Sequence, residues 1–152
     1  MQTNPKVILI EDDPNDLLMT MRAMEKAGVA STDVLVARDG DEALRVFFGE
    51  DGKSEPSASL CDTLRLILLD LKLPKISGMD VLKQIKSNER TRLIPITMLT
   101  SSNEEQDVIS CYKLGVNSYI QKPVTFEKFE NTVKELGVYW VYVNQPVPRN
   151  TL

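Results

Sequence analysis

Five side chains that can do chemistry stand at the ends of apolar runs in this sequence. They are three carboxylates, one hydroxyl and one ammonium: Glu11, Asp12, Asp70, Thr100 and Lys122. Carboxylates that lie close together raise one another's pKa unless a cation joins them. A hard divalent cation such as Mg²⁺ meets this need, because it prefers oxygen ligands and often takes one or two carboxylates.

A lysine and a hydroxyl opposite such a metal site could bind a phosphoryl group. Together they suit the three equatorial oxygens of a phosphoryl group in transfer. A carboxylate can act as the nucleophile towards phosphorus. The residue types therefore favour Mg²⁺-dependent phosphoryl transfer onto Asp70, with Thr100 and Lys122 binding the phosphoryl oxygens.

The composition excludes several classes of function. The 152 residues contain no histidine, which rules out Ser-His-Asp hydrolysis and zinc hydrolysis through His ligands. A net charge of −4 gives no basis for a nucleic-acid or membrane-surface partner. Cys61 and Cys111 lack metal or redox spacing. The amino terminus has no apolar segment of the signal-peptide type, so we expect the protein to be cytoplasmic.

Five apolar runs alternate with five patterns of helical periodicity. Short apolar runs bounded by turn residues are typical of strands buried on both faces. The predicted strands are 7–10, 34–37, 66–69, 95–99 and 116–120. This alternation predicts a three-layer α/β/α sandwich with a five-stranded parallel sheet, in one domain over residues 4–143. Residues 144–152, with two prolines, are expected to form a flexible tail.

Local signals also predict how the helices and loops begin. Asp13 before Pro14 is typical of a helix N-cap. Ser102 with Glu105 fits a capping box. The polar segment 49–63 is longer than most connections, so either some local order or mobility is expected there.

The carboxyl ends of parallel strands meet at one edge of the sheet. The five reactive side chains all follow predicted strands, so this topology would bring them together. The sequence resembles the receiver domain of two-component response regulators, which has the CheY-like (βα)5 fold. The resemblance covers nearly the whole chain and is carried by the segments 10–14 (IEDDP), 68–74 (LLDLKLP) with Ser77-Gly78, 99–101 (LTS) and 119–123 (YIQKP).

The resemblance implies a role for each residue of the motifs. Glu11 and Asp12 are the acidic pair that holds Mg²⁺, with Asp12 as a direct ligand, and the backbone carbonyl of Lys72 completes the protein ligands. Asp70 is the phosphoacceptor. The remaining roles follow the same pattern: Thr100 and Lys122 bind the phosphoryl group, Tyr119 turns inward when Thr100 moves, and Lys122-Pro123 matches a peptide bond that is cis in the family.

The resemblance also implies a partner and an output. The phosphoryl donor is the phosphohistidine of a sensor histidine kinase, which must be a separate protein because this chain has no histidine. The long segment 49–63 and the Trp-Val-Tyr-Val ending resemble stand-alone regulators paired with bacterial phytochromes. With no output domain, the signal is expected to leave through the face formed by the fourth predicted helix, the fifth strand and the last helix. The protein would catalyse only its own phosphorylation and dephosphorylation, and would not be an enzyme.

The last helix carries more apolar residues than one buried stripe requires. The predicted core stripe is Phe126, Phe129, Val133, Leu136, Trp140 and Val143. Left over on other faces are Val138, Tyr139, Val141 and Tyr142. Surplus apolar and aromatic residues favour an interface, so a homodimer through this helix is one hypothesis. The alternative is that the end of the helix wraps around its own domain.

Each reactive residue also has a simpler structural interpretation. Acidic residues after the first strand favour a helix N-terminus in any protein. A single lysine is commonly solvated, and threonine is common in strands.

Lys72 departs from the small or neutral residues that are frequent at this position in the receiver domains that the sequence resembles. Its ammonium is predicted to change the lifetime of the phosphorylated state.

Three other functions remain compatible with the fold. An aspartyl-phosphate hydrolase would require an acid two residues after Asp70, where this chain has Lys72. A docking module on the same fold would work without phosphorylation, although the intact set of reactive residues argues against it. A flavodoxin-like cofactor carrier would require a Gly- or Ser/Thr-rich phosphate loop after the first strand, where this chain has acidic residues.

Overall fold

Parallel strands in the order β2-β1-β3-β4-β5 form the centre of the structure, a computed structural model that describes residues 4–148. The strands are β1 (Val7–Ile10), β2 (Val34–Ala37), β3 (Leu66–Leu69), β4 (Ile96–Thr100) and β5 (Ser118–Gln121). All four neighbouring pairs are parallel. The predicted five-stranded parallel sheet is therefore confirmed, with the fifth strand starting two residues later than expected.

The central strands are apolar on both faces because helices cover both sides of the sheet. Alternate residues of β1 enter different core clusters: Ile8 and Ile10 pack in one, Val7 and Leu9 in the other. All four β3 residues are buried as well. This double burial holds β1 and β3 in the middle of the sheet, so their carboxyl ends are fixed relative to each other.

Six α-helices connect and cover the strands. They are α1 (Pro14–Lys26), α2 (Gly40–Phe48), α3 (Ala58–Thr63), α4 (Gly78–Ser87), α5 (Glu105–Lys113) and α6 (Phe126–Gly137). Helices α1 and α6 pack against each other on one side of the sheet. Side chains of the remaining four enter the core cluster on the other side. The three-layer α/β/α sandwich is confirmed.

The helix starts follow the sequence signals in one case and depart from them in another. Asp13 is the N-cap of α1 and accepts hydrogen bonds from the backbone N–H groups of Asn15 and Asp16, as predicted. The capping box at Ser102 was wrong, because α5 begins at Glu105 with no side-chain cap. The Ser102 hydroxyl is instead 2.6 Å from a carboxylate oxygen of Asp107.

The long polar segment between α2 and β3 contains local order. Its last part folds into α3, whose N-cap Ser57 accepts a hydrogen bond from the backbone N–H of Leu60. Leu60 and Cys61 from this helix are buried in the core. Burial of these two side chains anchors the segment to the core.

The end of the last helix differs from the predicted continuous stripe. After Gly137 the chain continues as a π-helical segment (Val138–Val143), in which the N–H of Asn144 bonds to the carbonyl of Tyr139 five residues earlier. This wider turn rotates the following side chains away from an α-helical register. Val141 therefore packs against the core, whereas Val143 is 64% exposed.

The predicted core stripe was accordingly wrong at both ends. Phe126, at the first turn of α6, is 53% exposed, and Val143 is exposed as described above. Phe129 and Val133 are buried, and Leu136 and Trp140 pack against the core as partly buried residues.

Residues 144–148 of the predicted tail form no helix or strand, and residues 149–152 of that prediction lie outside the described part of the chain. Within the described residues, no helix has the length and apolar character needed to cross a membrane.

Candidate functional site

Three carboxylates converge at the carboxyl edge of the sheet. Glu11 directly follows β1, Asp12 comes next, and Asp70 directly follows β3. Each offers an oxygen atom, and these atoms lie within 4.8 Å of one another. Glu11 and Asp70 are buried while Asp12 is exposed, so the cluster has an inner side and an open side.

Backbone contacts on both sides fix the position of Asp70. Its N–H donates to the carbonyl of Ile10, which extends the pairing of β1 and β3 beyond the strands. The N–H of Lys72 donates to Asp70 Oδ1 at 3.2 Å, and the N–H of Gly78 donates to the carbonyl of Leu71. The carboxylate thus stands on a short loop that is tied to α4.

Lys122 supplies the positive charge of the site. Its backbone N–H donates to the carbonyl of Thr100 at 2.7 Å, which ties the end of β5 to the end of β4. Its Nζ lies 2.5 Å from Glu11 Oε1, 2.8 Å from Asp16 Oδ2 and 2.9 Å from Asp70 Oδ2. The ammonium therefore bridges carboxylates that follow β1 and β3 and one that lies on α1.

Sequence reasoning missed Asp16. This residue lies in the first turn of α1, where an acidic side chain is ordinarily explained by the helix dipole. Its partner Lys122 is 106 residues away in the sequence, so no local pattern joins the two. Only the placement of α1 beside the carboxyl edge of the sheet shows the contact.

The electrostatics of the site reflect crowded, buried charge. Burial, together with repulsion from Asp70, raises the pKa of Glu11 from 4.5 to about 7, although hydrogen bonding to Lys122 opposes the shift. Burial acts to lower the pKa of Lys122, but its bonds to Asp16, Glu11 and Asp70 outweigh burial and raise it. The ammonium therefore stays charged at neutral pH.

Thr100 and Tyr119 lie beside the charged cluster on β4 and β5. Thr100 is fully buried, and its Oγ1 accepts a hydrogen bond from the N–H of Ser102 at 3.4 Å. The hydroxyl of Tyr119 donates to the carbonyl of Ser102 at 2.9 Å, and its ring packs against the core. Burial raises the pKa of Tyr119 despite the bond to Ser102, so its phenol is protonated at neutral pH.

Two neighbouring lysines of the loop after β3 have different surroundings. Lys72 is exposed, two residues after Asp70. Lys75 has a positive φ of 67° and its ammonium lies 3.5 Å from Asp39 Oδ2. The cis form expected for the Lys122-Pro123 bond was wrong: no peptide bond in the described residues is cis, and the trans form is favoured by about 0.5–1 kcal/mol before proline.

The donor set fits a divalent cation. The three oxygen donors are hard ligands. A cation among them would offset the repulsion from Asp70, which adds to burial in raising the pKa of Glu11. Glu11, Asp12 and Asp70 would hold it. Such a cation would neutralise negative charge on the oxygens of a transferring phosphoryl group.

Comparison with known proteins decides the family. The protein-family model described as "Response regulator receiver domain" matches residues 7–134, which is most of the chain. The chain belongs to the response regulator receiver family. The flavodoxin-like carrier considered from the sequence is thereby set aside.

Two curated relatives match this receiver domain over most of both chains. "Probable methanogenesis regulatory protein FilR2" of Methanothrix harundinacea is 39% identical over 142 residues, which is 91% of this chain and 85% of the relative. Response regulator Rcp1 of Synechocystis is 34% identical over 137 residues, which is 90% of each chain.

Solved structures agree with this assignment. The Mn²⁺-bound form of Rcp1 has a TM-score of 0.79 with 30% identity, covering 95% of this chain and 100% of that one. The phosphorylated cyanobacterial phytochrome response regulator RcpA has a TM-score of 0.78 with 30% identity, covering 96% and 100%. The receiver domain is therefore similar to phytochrome-associated response regulators, as the sequence indicated.

Proposed function

We propose that this receiver domain accepts a phosphoryl group on Asp70 from the phosphohistidine of a sensor kinase, with Mg²⁺ at the acidic cluster. The observation that carries the proposal is the position of Asp70. Its carboxylate shares one cluster with Glu11 and Asp12 and lies 2.9 Å from the ammonium of Lys122. A nucleophile, a set of metal ligands and a phosphate-binding cation thus meet at one point.

The reaction is a balanced transfer between two side chains. A carboxylate oxygen of Asp70 forms a bond to phosphorus while the phosphorus–nitrogen bond of the donor breaks, and the imidazole leaves. Lys122 and the hydroxyl of Thr100 bind the phosphoryl oxygens. Glu11, Asp12 and Asp70 would hold Mg²⁺, which would supply positive charge to neutralise these oxygens. Water later attacks phosphorus, the bond between phosphorus and the Asp70 oxygen breaks, and inorganic phosphate leaves, which returns Asp70 to the free carboxylate. In this proposal the protein turns over no other substrate and acts as a signalling protein.

The output is a change of surface. The acyl phosphate adds about −1.5 to −2 charges at a buried position. Thr100 would move towards this charge and release the backbone of Ser102, to which Tyr119 is bonded. The face formed by α5, β5 and α6 carries these residues or lies next to them, so it is the face that we expect to signal.

The kinase is proposed to be of the phytochrome type. The relative RcpA is described as a cyanobacterial phytochrome response regulator, and its structure covers nearly all of this chain. We propose no nucleic-acid partner, since the chain carries a net charge of −4, and we place the protein in the cytoplasm.

A homodimer through the end of the last helix is the second part of the proposal. Of the four surplus residues, Val141 packs on the core and the Tyr142 hydroxyl donates to the carbonyl of Gly28, so part of this segment does wrap around its own domain. Val138 and Tyr139 remain exposed. With Val143 they border a groove whose other residues are Asn131, Lys134 and Glu135.

The test of the proposed function is incubation with Mg²⁺ and a small acyl phosphate donor, followed by intact mass measurement. We expect one added phosphate on the wild type and none on Asp70→Asn. Asp13→Asn is the matched control, since Asn also caps helices and Asp13 is outside the acidic cluster. An unmodified wild type would favour the docking module that works without phosphorylation. Continuous release of phosphate from small phosphate esters would favour the hydrolase.

A further inference from the structure

We propose that Asp16 is a positioning residue that keeps Lys122 in the site when a divalent cation is bound. The proposal rests on the proposed function, because it concerns the loaded site at which Asp70 would be phosphorylated. Its basis is the ion pair between Asp16 Oδ2 and Lys122 Nζ at 2.8 Å.

The ammonium of Lys122 has no hydrogen to spare. An ammonium carries three N–H donors, and the three acceptors here are carboxylate oxygens of Glu11, Asp16 and Asp70. The side chain of Lys122 is 12% exposed, so little solvent reaches the group. Loss of one carboxylate would therefore leave one donor of a largely buried cation without its partner.

The three carboxylates differ in what a divalent cation would do to them. Glu11 and Asp70 belong to the acidic cluster that would hold the cation, while Asp16 does not. A cation at that cluster would attract both of these carboxylates and repel the ammonium, since like charges repel at short distance. Of the three partners, only Asp16 is free to keep its whole interaction with Lys122 under these conditions.

Asp16 is itself held firmly. It lies in the first turn of α1, where its negative charge is favoured by the helix dipole, and its N–H donates to Asp13 Oδ1 at 3.0 Å. Helix α1 is fixed against α6 through the core cluster that contains Val7 and Leu9. The carboxylate is thus presented to Lys122 by a rigid element and not by a mobile loop.

The position of Lys122 affects how the incoming phosphoryl group is bound. Lys122 follows the last residue of β5, and its long side chain would turn to solvent if the cation repelled it without a counter-charge. With Asp16 present, the ammonium stays within reach of Asp70 and can bind a phosphoryl oxygen at once. Such preorganisation lowers the activation free energy of phosphoryl transfer, because the binding group is already in position.

The direct test observes the ammonium itself. Lysine-selective ¹⁵N NMR follows the exchange of the Lys122 ammonium hydrogens with water, with and without Mg²⁺. In the wild type we expect a slowly exchanging resonance that survives Mg²⁺ addition. In Asp16→Asn we expect Mg²⁺ to broaden it away, with recovery in Asp16→Glu. Glu25→Gln, which removes an exposed charge from the last turns of the same helix, should behave as wild type.

A second measurement gives the functional consequence. With a small acyl phosphate donor at saturating Mg²⁺, we expect the phosphorylation rate of Asp16→Asn to fall roughly three- to tenfold, and that of Asp16→Glu to recover. Glu25→Gln should retain the wild-type rate.

The two readouts separate the possible failures. A wild type that takes no phosphate would overturn the proposed function, while the NMR comparison would still decide the role of Asp16. A wild type that is phosphorylated, with an Asp16→Asn variant equal to it in both exchange and rate, would overturn the role of Asp16 alone. Absence of a slowly exchanging Lys122 resonance in the wild type would also overturn it.

Discussion

Gly78 and Asp70 are in direct backbone contact: a β-carbon at residue 78 would stand 2.0 Å from the carbonyl oxygen of Asp70 and 2.7 Å from the Cα of Leu71. No side chain can move aside to relieve such a contact, since the atoms belong to the backbone. The start of α4 and the loop carrying Asp70 can pack this closely only because residue 78 has no side chain.

Gly78→Ala is therefore expected to displace Asp70. Overpacking of this kind typically costs about 1–3 kcal/mol of unfolding free energy, and the displaced carboxylate should be phosphorylated more slowly. Urea unfolding and intact mass kinetics measure the two effects. The control is Gly52→Asn, because Gly52 has open space around it and a φ of +71° that Asn tolerates. Equal unfolding free energies and equal phosphorylation rates in the two variants would contradict the close contact.

The raised pKa of Glu11 predicts how the stability of the metal-free protein depends on pH. Between pH 4.5 and about 7 the folded state holds a proton on Glu11 that the unfolded chain has released. The folded state binds more protons in this window, so its stability falls as the pH rises through it. We expect Glu11 to contribute at most about 3 kcal/mol of this loss.

Urea unfolding in EDTA at pH 5, 6, 7 and 8 measures this dependence. In Glu11→Gln the slope between pH 5 and 7 should flatten, because the titrating group is gone. Added Mg²⁺ should restore stability at pH 8 in the wild type, since the cation then takes the place of the proton. A wild type and a Glu11→Gln variant with the same slope would contradict the assignment.

The sequence predicted the framework of the site well because its signals are local. A short apolar run that ends in Asp70 identifies a buried strand and the position of the acid without any knowledge of the rest of the chain. Asp16 and its partner Lys122 could not be paired in this way, because the contact depends on where α1 lies over the sheet. The π-helical segment was missed for a related reason: apolar spacing in the last helix is compatible with more than one register.

Lys72 is expected to lengthen the life of the phosphorylated state. Its N–H already bonds to Asp70, and its exposed ammonium is free to approach the negative phosphoryl group from the loop. We expect Lys72→Asn to dephosphorylate a few times faster, in keeping with the modest value of an exposed ion pair. Decay of the phosphorylated mass after removal of the donor measures the rate.

Lys75→Asn is the matched control for Lys72. It removes a lysine from the same loop, one that is paired with Asp39, and Asn tolerates the positive φ at this position. An unchanged decay rate in Lys72→Asn, or an equal change in both variants, would show that the ammonium of Lys72 does not act on the phosphoryl group.

The exposed residues at the end of the last helix predict self-association. Sedimentation equilibrium over a range of concentrations should show a dimer, and Tyr139→Ser should weaken it at least tenfold, since a buried tyrosine often dominates an interface. Leu93→Ser, at an exposed apolar residue in the loop before β4, should associate as the wild type does. If the wild type has the mass of a monomer at all concentrations, with or without an acyl phosphate donor, the dimer hypothesis is wrong.

Chemical trapping can locate the phosphoryl group on the chain. Borohydride reduces an aspartyl phosphate to homoserine, so the modified residue can be read from the peptide fragments by mass spectrometry. After treatment with Mg²⁺ and a small acyl phosphate, we predict homoserine in place of Asp70 and none at Glu11, Asp12 or Asp16. Reduction at any other carboxylate, or an unmodified chain under conditions that load Mg²⁺, would contradict phosphoryl transfer to Asp70.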